Sequence, residues 1–241
     1  MTFSKTILPL KWANSDWLLD TRRVLINPAE KILILSDIHI GYYSSFREQG
    51  SYLPMYDTAL LEEAVQSLLE DYKGYHWIIA GDIKHNHATF LSEAETRELV
   101  SILEHITANN QLTLIIGNHD KGLEEIVANL NLPCTLTKSY TLKEVIIQHN
   151  FNQIDQKNNK KYIIGHVHPI ISLEHIKGSL VPIFAITDDL LILPAFNYVA
   201  GGFDIKKLYN EFYNKTETRK NFMIYALGKQ VYGLGSVENL L

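Results

Sequence analysis

Five short apolar runs, rich in β-branched residues, each break off into Asp, Asn or His, and no other feature restricts the possible folds of this chain as much. Lys31–Ser36 (KILILS) leads into Asp37-Ile38-His39, and His76–Ala80 (HWIIA) into Gly81-Asp82. Leu112–Ile116 (LTLII) leads into Gly117-Asn118-His119-Asp120, Val145–Gln148 (VIIQ) into His149, and Tyr162–Ile164 (YII) into Gly165-His166-Val167-His168. Runs this short and this apolar suit buried strands. Helical stripes lie between them: Leu60, Leu61, Ala64, Val65, Leu68 and Leu69; then Leu99, Ile102, Leu103 and Ile106; then Leu123, Ile126, Val127 and Leu130. Ser92-Glu93-Ala94-Glu95, ahead of the second stripe, has capping-box spacing. The alternation predicts an α/β sheet with its ligands beyond the carboxyl ends of the strands.

After His168 the pattern changes. Leu180–Thr187, Leu190–Leu193, Phe222–Leu227 and Gln230–Leu234 read as strands with few helices between them, which predicts a second sheet packed on the first. Trp17–Ile26 is expected to add an N-terminal hairpin. There is no internal repeat and no Pro/Gly/Ser-rich linker, so residues 1–241 are expected to form one domain.

The polar residues at the strand ends are of the kinds that bind metals. Asp37 and His39 are spaced i, i+2, as are His166 and His168; on extended backbone each pair shares a face. Gly81, Gly117 and Gly165 allow sharp turns and close approach just before the donors. The donors offer oxygen and imidazole nitrogen, and the lone Cys134 leaves no thiolate site and no intrachain disulfide. Such a set suits Mn, Fe, Zn, Co or Ni better than Ca or Mg. Seven candidate ligands exceed the needs of one ion, and two ions sharing a carboxylate account for them better.

Composition narrows the partners. The first eleven residues have only a four-residue apolar patch broken by proline, so no signal peptide is expected. Apolar runs such as Leu190–Phe196 fall far short of the roughly 18 residues of a membrane span. A cytoplasmic protein with no membrane partner is therefore expected. Lys+Arg total 22 against 27 Asp+Glu, a net charge of −5, which argues against a broad face for nucleic acid. The basic clusters Lys157, Lys160, Lys161 and Lys206, Lys207, Lys215, Arg219, Lys220 are expected to be solvated faces.

The ordered set Asp-X-His, Gly-Asp, Gly-Asn-His-Asp, a strand-ending His and Gly-His-X-His resembles the five signature blocks of the calcineurin-like metallophosphoesterase superfamily. That resemblance implies a four-layer α-β-β-α sandwich with two mixed sheets. It implies that Asp37, His39, Asp82 and His168 hold one metal and that Asp82, Asn118, His149 and His166 hold the other. His119 would be the catalytic histidine that binds no metal, with Asp120 orienting its ring. A closer resemblance rests on Trp17–Val24, Phe46–Pro54, Gly81–His85 and Leu193–Phe196 with Gly201-Gly202. These are similar to the PdeM-type phosphoesterases, which are ligase-associated DNA damage response endonucleases related to the SbcD nucleases. Tyr42 departs from that pattern, standing where the family commonly has lysine. The resemblance implies two divalent cations, manganese foremost, and places Arg47 and His85 near the substrate. It implies a phosphodiester substrate, DNA in particular, and a DNA ligase or DEXH helicase as pathway partners.

The expected chemistry is hydrolysis of a phosphodiester by a hydroxide bridging two cations, with His119 protonating the leaving oxygen. A small-molecule phosphodiesterase or phosphatase is the alternative. A non-catalytic scaffold of the same fold is a third, disfavoured by the intact Asn118-His119-Asp120. His87 is expected to be a loop residue, and His76, His105 and His175 structural or exposed. Neither oligomeric state nor native metal is legible from the sequence.

Overall fold

The computed structural model describes residues 5–42, 56–151, 154, 159–172, 180–215 and 221–241. Phe46–Pro54, and with it Arg47, lies outside them, as do Lys157, His175, Arg219 and Lys220.

Two mixed sheets stack face to face. The first has seven strands in chain order: β1 (Ile7–Trp12), β2 (Ser15–Asp20), β3 (Val24–Asn27), β4 (Ile32–Leu35), β5 (His76–Ala80), β6 (Gln111–Ile115) and β7 (Thr135–Thr137). Strands β1 to β4 pair antiparallel, and β4 to β7 pair parallel. Three helices serve the parallel crossovers: α1 (Tyr56–Asp71), α2 (Glu93–Thr107) and α3 (Leu123–Asn129). Helix α2 starts at the predicted capping box: the Ser92 side chain accepts from the Glu95 amide, and the Glu95 carboxylate accepts from the Ser92 amide.

The second sheet is built from β8 (Ser139–Leu142), β9 (Val145–Gln148), β10 (Lys161–Ile164), β11 (Pro169–Ser172), β12 (Leu180–Ile186), β13 (Leu190–Ile192), β14 (Phe203–Asp204), β15 (Met223–Leu227) and β16 (Val231–Ser236). Its centre is the parallel trio β9-β10-β13. Here the structure corrects an expectation. The fourth and fifth ligand-bearing strands, β9 and β10, belong to this second sheet and not to the first. The chain changes sheets at Lys138, between the two edge strands β7 and β8, a pair too short and too rich in Thr and Ser to stand out as strands.

Alternation along the strands produces three cores and four layers. Leu33, Leu35, Trp77, Ile79, Leu112 and Leu114 face α1–α3. Ile32, Ile34, Ile78, Ala80 and Ile115 face the other sheet, where they meet Val145, Ile147, Ile163, Phe184 and Leu191. Tyr162, Ile164, Ile183, Ala185 and Ile192 face outward again, covered by α4 (Ile205–Lys215) through Ile205, Leu208 and Tyr209. Period-2 burial on both faces is the reason these strands read as unbroken apolar runs. Helix α4 lies in the segment that carries the second basic cluster. Its stripe Ile205, Leu208, Tyr209 was in the sequence, but Lys206 and Lys207 drew attention from it.

The N-terminal hairpin extends the first sheet, as β2 and β3. Its turn carries two arginines with separate tasks. Arg22 donates to both oxygens of Asp20 and to the Ser67 carbonyl, tying the turn to α1. Arg23 reaches in the other direction, to the loop after β13. No helix among the described residues is long and apolar enough to cross a membrane.

Candidate metal centre

Strands β4, β5 and β6 of one sheet and β9 and β10 of the other deliver their polar ends to one place. Three groups of donor atoms lie within 4.8 Å of one another: Asp37, His39 and His168; Asp82, His149 and His166; and His39, His85 and His119. The first two contain six of the seven candidate ligands. The seventh, Asn118, joins the second group, its Oδ1 lying 2.9 Å from His149 Nε2. Asp82 stands between the first two groups, 3.3 Å from His149 Nε2 through Oδ1 and 3.9 Å from His39 Nε2 through Oδ2. His39 and His168 face each other, Nε2 to Nε2, at 3.2 Å.

The backbone at these donors is not extended. Asp37 has φ 57°, His39 49°, Asp82 51°, His166 67° and His168 48°, all in the left-handed region. The spacing i, i+2 therefore does not work by the shared face of a strand. The chain has already left the strand, and each left-handed residue turns it so that its side chain meets those of its neighbours. Such residues cost on the order of 1–3 kcal/mol each and persist where surrounding contacts over-determine them. Here the contacts are explicit. The amides of Asp37 and His39 donate to the carbonyls of Gly81 and Asp82, and the amide of His166 donates to both carboxylate oxygens of Asp37 at 3.1 and 3.0 Å. A side chain at Gly81 would strike the His149 ring, one at Gly117 the backbone and carboxylate of Asp82, and one at Gly165 the Asp37 carboxylate.

Two imidazoles are fixed by carbonyls. His149 donates from Nδ1 to the Ala80 carbonyl at 3.0 Å, and His168 from Nδ1 to the Gly201 carbonyl at 2.9 Å. Each is left with Nε2 turned toward a carboxylate, the tautomer a metal needs. Charge is prepared in the same sense. Burial works against ionised Asp37 and Asp82, but His168 next to Asp37 and His149 next to Asp82 outweigh it, and both pKa values are lowered. Burial, helped by the charge on His168, holds His39 neutral with a pKa near 3. Burial would also lower His149, but Asp82 and Asp37 overcome it and raise the pKa to about 9. Buried carboxylates with imidazole and amide donors, glycines that leave no room for a side chain, and no thiolate fit divalent transition cations.

His119 lies beside these donors. Its Nδ1 donates to the His85 carbonyl at 2.5 Å, its backbone amide donates to Asp82 Oδ1 at 3.0 Å, and its Nε2 is 3.9 Å from Asp82 Oδ2. This corrects the role expected for Asp120. That carboxylate does not orient the His119 ring; it accepts from the amides of Gly117, Ile83 and Lys84, clamping the β6 loop to the β5 loop. Adjacent in sequence, the two side chains face opposite ways across the turn.

His85 is placed at the site by its ring as well as its carbonyl, with Nδ1 3.5 Å from His39 Nδ1. His87 is no mere loop residue: its ring stacks on His119 at 3.8 Å. His76 meets Thr113 Oγ1 in the sheet, and His105 is exposed on α2. Two further residues carry little sign of their role in the sequence. Lys84, fully buried, donates its ammonium protons to the carbonyls of Asn86, Ala88 and His119. Asn197, also buried, binds the backbone of Asp37 and Ile38. The cue for Lys84 was a charged residue in a turn otherwise packed with apolar and metal-type residues. Asn197 had no cue beyond following the Leu193–Phe196 block.

Residues 30–221 match a family model described as calcineurin-like phosphoesterase. No curated protein matches the chain. Among solved structures it is similar to the Pseudomonas putida nuclease MPE, with 22% identity over 95% of this chain and 100% of that one, at a TM-score of 0.73. At that identity the likeness is one of fold. A protein of unknown function from Aquifex aeolicus, AQ665, matches at 17% identity over 57% of this chain and 78% of its own, with a TM-score of 0.38, too low to compare folds.

Proposed function

Since the chain belongs to the calcineurin-like phosphoesterase family and is a metal-dependent phosphoester hydrolase, we propose that it cleaves phosphodiester bonds in nucleic acid at a dinuclear, manganese-loaded centre. One observation carries the dinuclear reading: two donor groups flank a single carboxylate, Asp82. Asp37, His39, Asp82 and His168 would hold one cation, and Asp82, Asn118, His149 and His166 the other. The bound cations supply Lewis acidity that makes water a nucleophile at neutral pH and positive charge that offsets the phosphoryl oxygens.

The remaining residues have work of their own. His119 is the proton donor to the leaving oxygen. Its Nδ1 is committed to the His85 carbonyl, so Nε2 is the nitrogen that gives the proton. The stacked His87 limits rotation of that ring. Asp120 and Lys84 hold the His119 turn against the Asp82 turn and act on geometry alone. His85 and Arg47 are proposed to contact the substrate phosphate.

Nucleic acid is favoured as the diester because the Pseudomonas putida protein of the same fold is a nuclease, and we extend that substrate class to this chain. A role in DNA repair beside a DNA ligase or DEXH helicase, in the cytoplasm, goes with it. Strands β1, β2, β15 and β16 extend the two sheets beyond residues 30–221, which supports treating 1–241 as one domain. The deciding assay sets bis-p-nitrophenyl phosphate, p-nitrophenyl phosphate, cyclic nucleotides and single-stranded DNA side by side with Mn²⁺. Cleavage of DNA and of the bis ester is expected. Cleavage confined to cyclic nucleotides or to the monoester would move the protein to the small-molecule class, which its net charge of −5 would suit.

A further inference from the structure

We propose that the loop after β13, from Pro194 to Gly201, is a positioning device for one of the two cations only. Asn197 is its key residue and Arg23 its anchor. The inference rests on the two-cation reading above.

The loop touches both sheets at the site, and the hydrogen bonds described between it and the donor-bearing segments go to one donor group. The Phe196 amide donates to the Ser36 carbonyl at 2.8 Å and the Asn197 amide to the Asp37 carbonyl at 3.1 Å. The Asn197 side chain donates from Nδ2 to the Ile38 carbonyl at 2.9 Å. Three consecutive carbonyls, those of Ser36, Asp37 and Ile38, are thus held along the segment that must turn left-handed at Asp37 and again at His39. At its far end, back on its own sheet, the Gly201 carbonyl fixes the tautomer of His168. Asp37, His39 and His168 form the first donor group. None of the hydrogen bonds described for Asn118, His149 and His166 goes to the loop: they go to Ala80, to Gly165, to one another and, from the His166 amide, to the Asp37 carboxylate.

The loop is itself made rigid. Asn197 Oδ1 accepts from the amides of Val199 and Ala200 at 3.0 and 3.2 Å, closing the turn toward Gly201. Arg23 Nη1 donates to the carbonyls of Ala195 and Asn197 at 3.1 and 2.8 Å, with its guanidinium over the Tyr198 ring at 4.1 Å. Asn197 is thus braced on both sides, and its amide can fix the Asp37–His39 turn only while the loop stays put. Outer partners of this kind typically contribute about 10–100-fold to metal affinity.

The test is a Mn²⁺ titration of the full chain followed by equilibrium dialysis and electron paramagnetic resonance. Variants Asn197→Ala, Arg23→Lys, His168→Ala and His166→Ala are compared, with thermal melting to establish that each is folded. The wild type is expected to bind two ions and to show an exchange-coupled pair. Asn197→Ala should keep one ion at wild-type affinity and weaken the other about 10–100-fold, leaving an uncoupled six-line signal whose zero-field parameters match those of the ion left in His168→Ala and differ from those of the ion left in His166→Ala. Arg23→Lys, which keeps a cation but loses the fork, should fall between wild type and Asn197→Ala. Parallel loss of both ions in Asn197→Ala, or wild-type affinity for both, overturns the proposal, and wild-type behaviour of Arg23→Lys removes Arg23 from it. A wild type that binds a single ion sinks the two-cation reading instead. The loop is then judged on that ion: weakening by Asn197→Ala to the same degree as by His168→Ala sustains the inference, and no weakening overturns it.

Discussion

The two sheets contribute unequally to the site. The first supplies both carboxylates, the amide of Asn118 and the imidazoles of His39 and His119, the latter proposed as the proton donor. The second supplies imidazoles alone: His149, His166 and His168. The loops also differ in bracing. Those of β4, β5 and β6 are laced together by backbone hydrogen bonds, by the Asp120 clamp and by the ammonium of Lys84. Those of β9 and β10 are held partly from across the sheet interface, through Ala80 and Asp37, and partly by the loop after β13 of their own sheet. The negative charge that attracts cations thus sits on the rigid half. The other half adds imidazoles, placed in part by the Ala80 carbonyl and the Asp37 carboxylate of its neighbour.

The largest effect should come from removing charge on the rigid half. Asp82→Asn keeps the shape but loses the carboxylate proposed to serve both cations. Activity should fall by at least about 10³-fold, with fewer than two ions retained. Elemental analysis that still finds two ions per chain would count against the shared carboxylate. Next comes His119→Ala, which should cost about 10²-fold or more in kcat, in keeping with a proton donor. Both metals should remain, because His119 donates only its backbone amide to Asp82. Wild-type turnover in a metal-replete variant would remove His119 from the chemistry.

The imidazole half should reveal itself through protons. The carboxylates raise the pKa of His149 to about 9, so it is protonated at pH 7, whereas His39, near 3, is neutral. A cation must displace the His149 proton before it can use Nε2. Affinity at that position should therefore rise about tenfold per pH unit below pH 9 and level off above it. Without metal the sign reverses. The raised pKa contributes stability that is full below about 6.5 and lost as pH rises through about 9. Calorimetric titration at pH 7 in buffers of different ionisation enthalpy would read the released proton. Uptake without proton release would mean that Nε2 of His149 is not a ligand.

Much of this was legible beforehand, for physical reasons. Strands buried on both faces must be unbroken apolar runs, and turns that close on a carboxylate must be glycine, so strands and donors both stood out. Sheet membership did not, because β9 and β5 are both short apolar runs and only pairing separates them. Nor did backbone conformation: Asp and His tolerate left-handed φ better than most residues, and i, i+2 spacing looks alike in a strand and in such a turn. Helix α4 was hidden by its lysines. The neighbour relation between His119 and Asp120 misled most, since adjacency in a tight turn separates side chains as easily as it joins them.

That last error leads to the smallest expected effect on chemistry. In Asp120→Asn the carboxylate that accepts from Gly117, Ile83 and Lys84 becomes an amide, whose NH₂ must face one of those donors. A buried donor left without an acceptor costs about 1–3 kcal/mol, or a few degrees of Tm per kcal/mol in a chain of this size. Burial and the nearby charge of Asp82 already push the Asp120 pKa to about 6 despite the opposing amides, so the carboxylate is not at ease there, and the loss should fall at the lower end. If Asp120 only clamps the two turns, kcat in the folded variant should stay within about tenfold of wild type, with an unchanged pH profile. Had Asp120 held the tautomer of His119, kcat would drop about as far as in His119→Ala, at unchanged Tm. The two outcomes separate on a single pair of measurements, a melting curve and a pH–rate profile, because the His119 Nδ1 proton already has its acceptor in the His85 carbonyl.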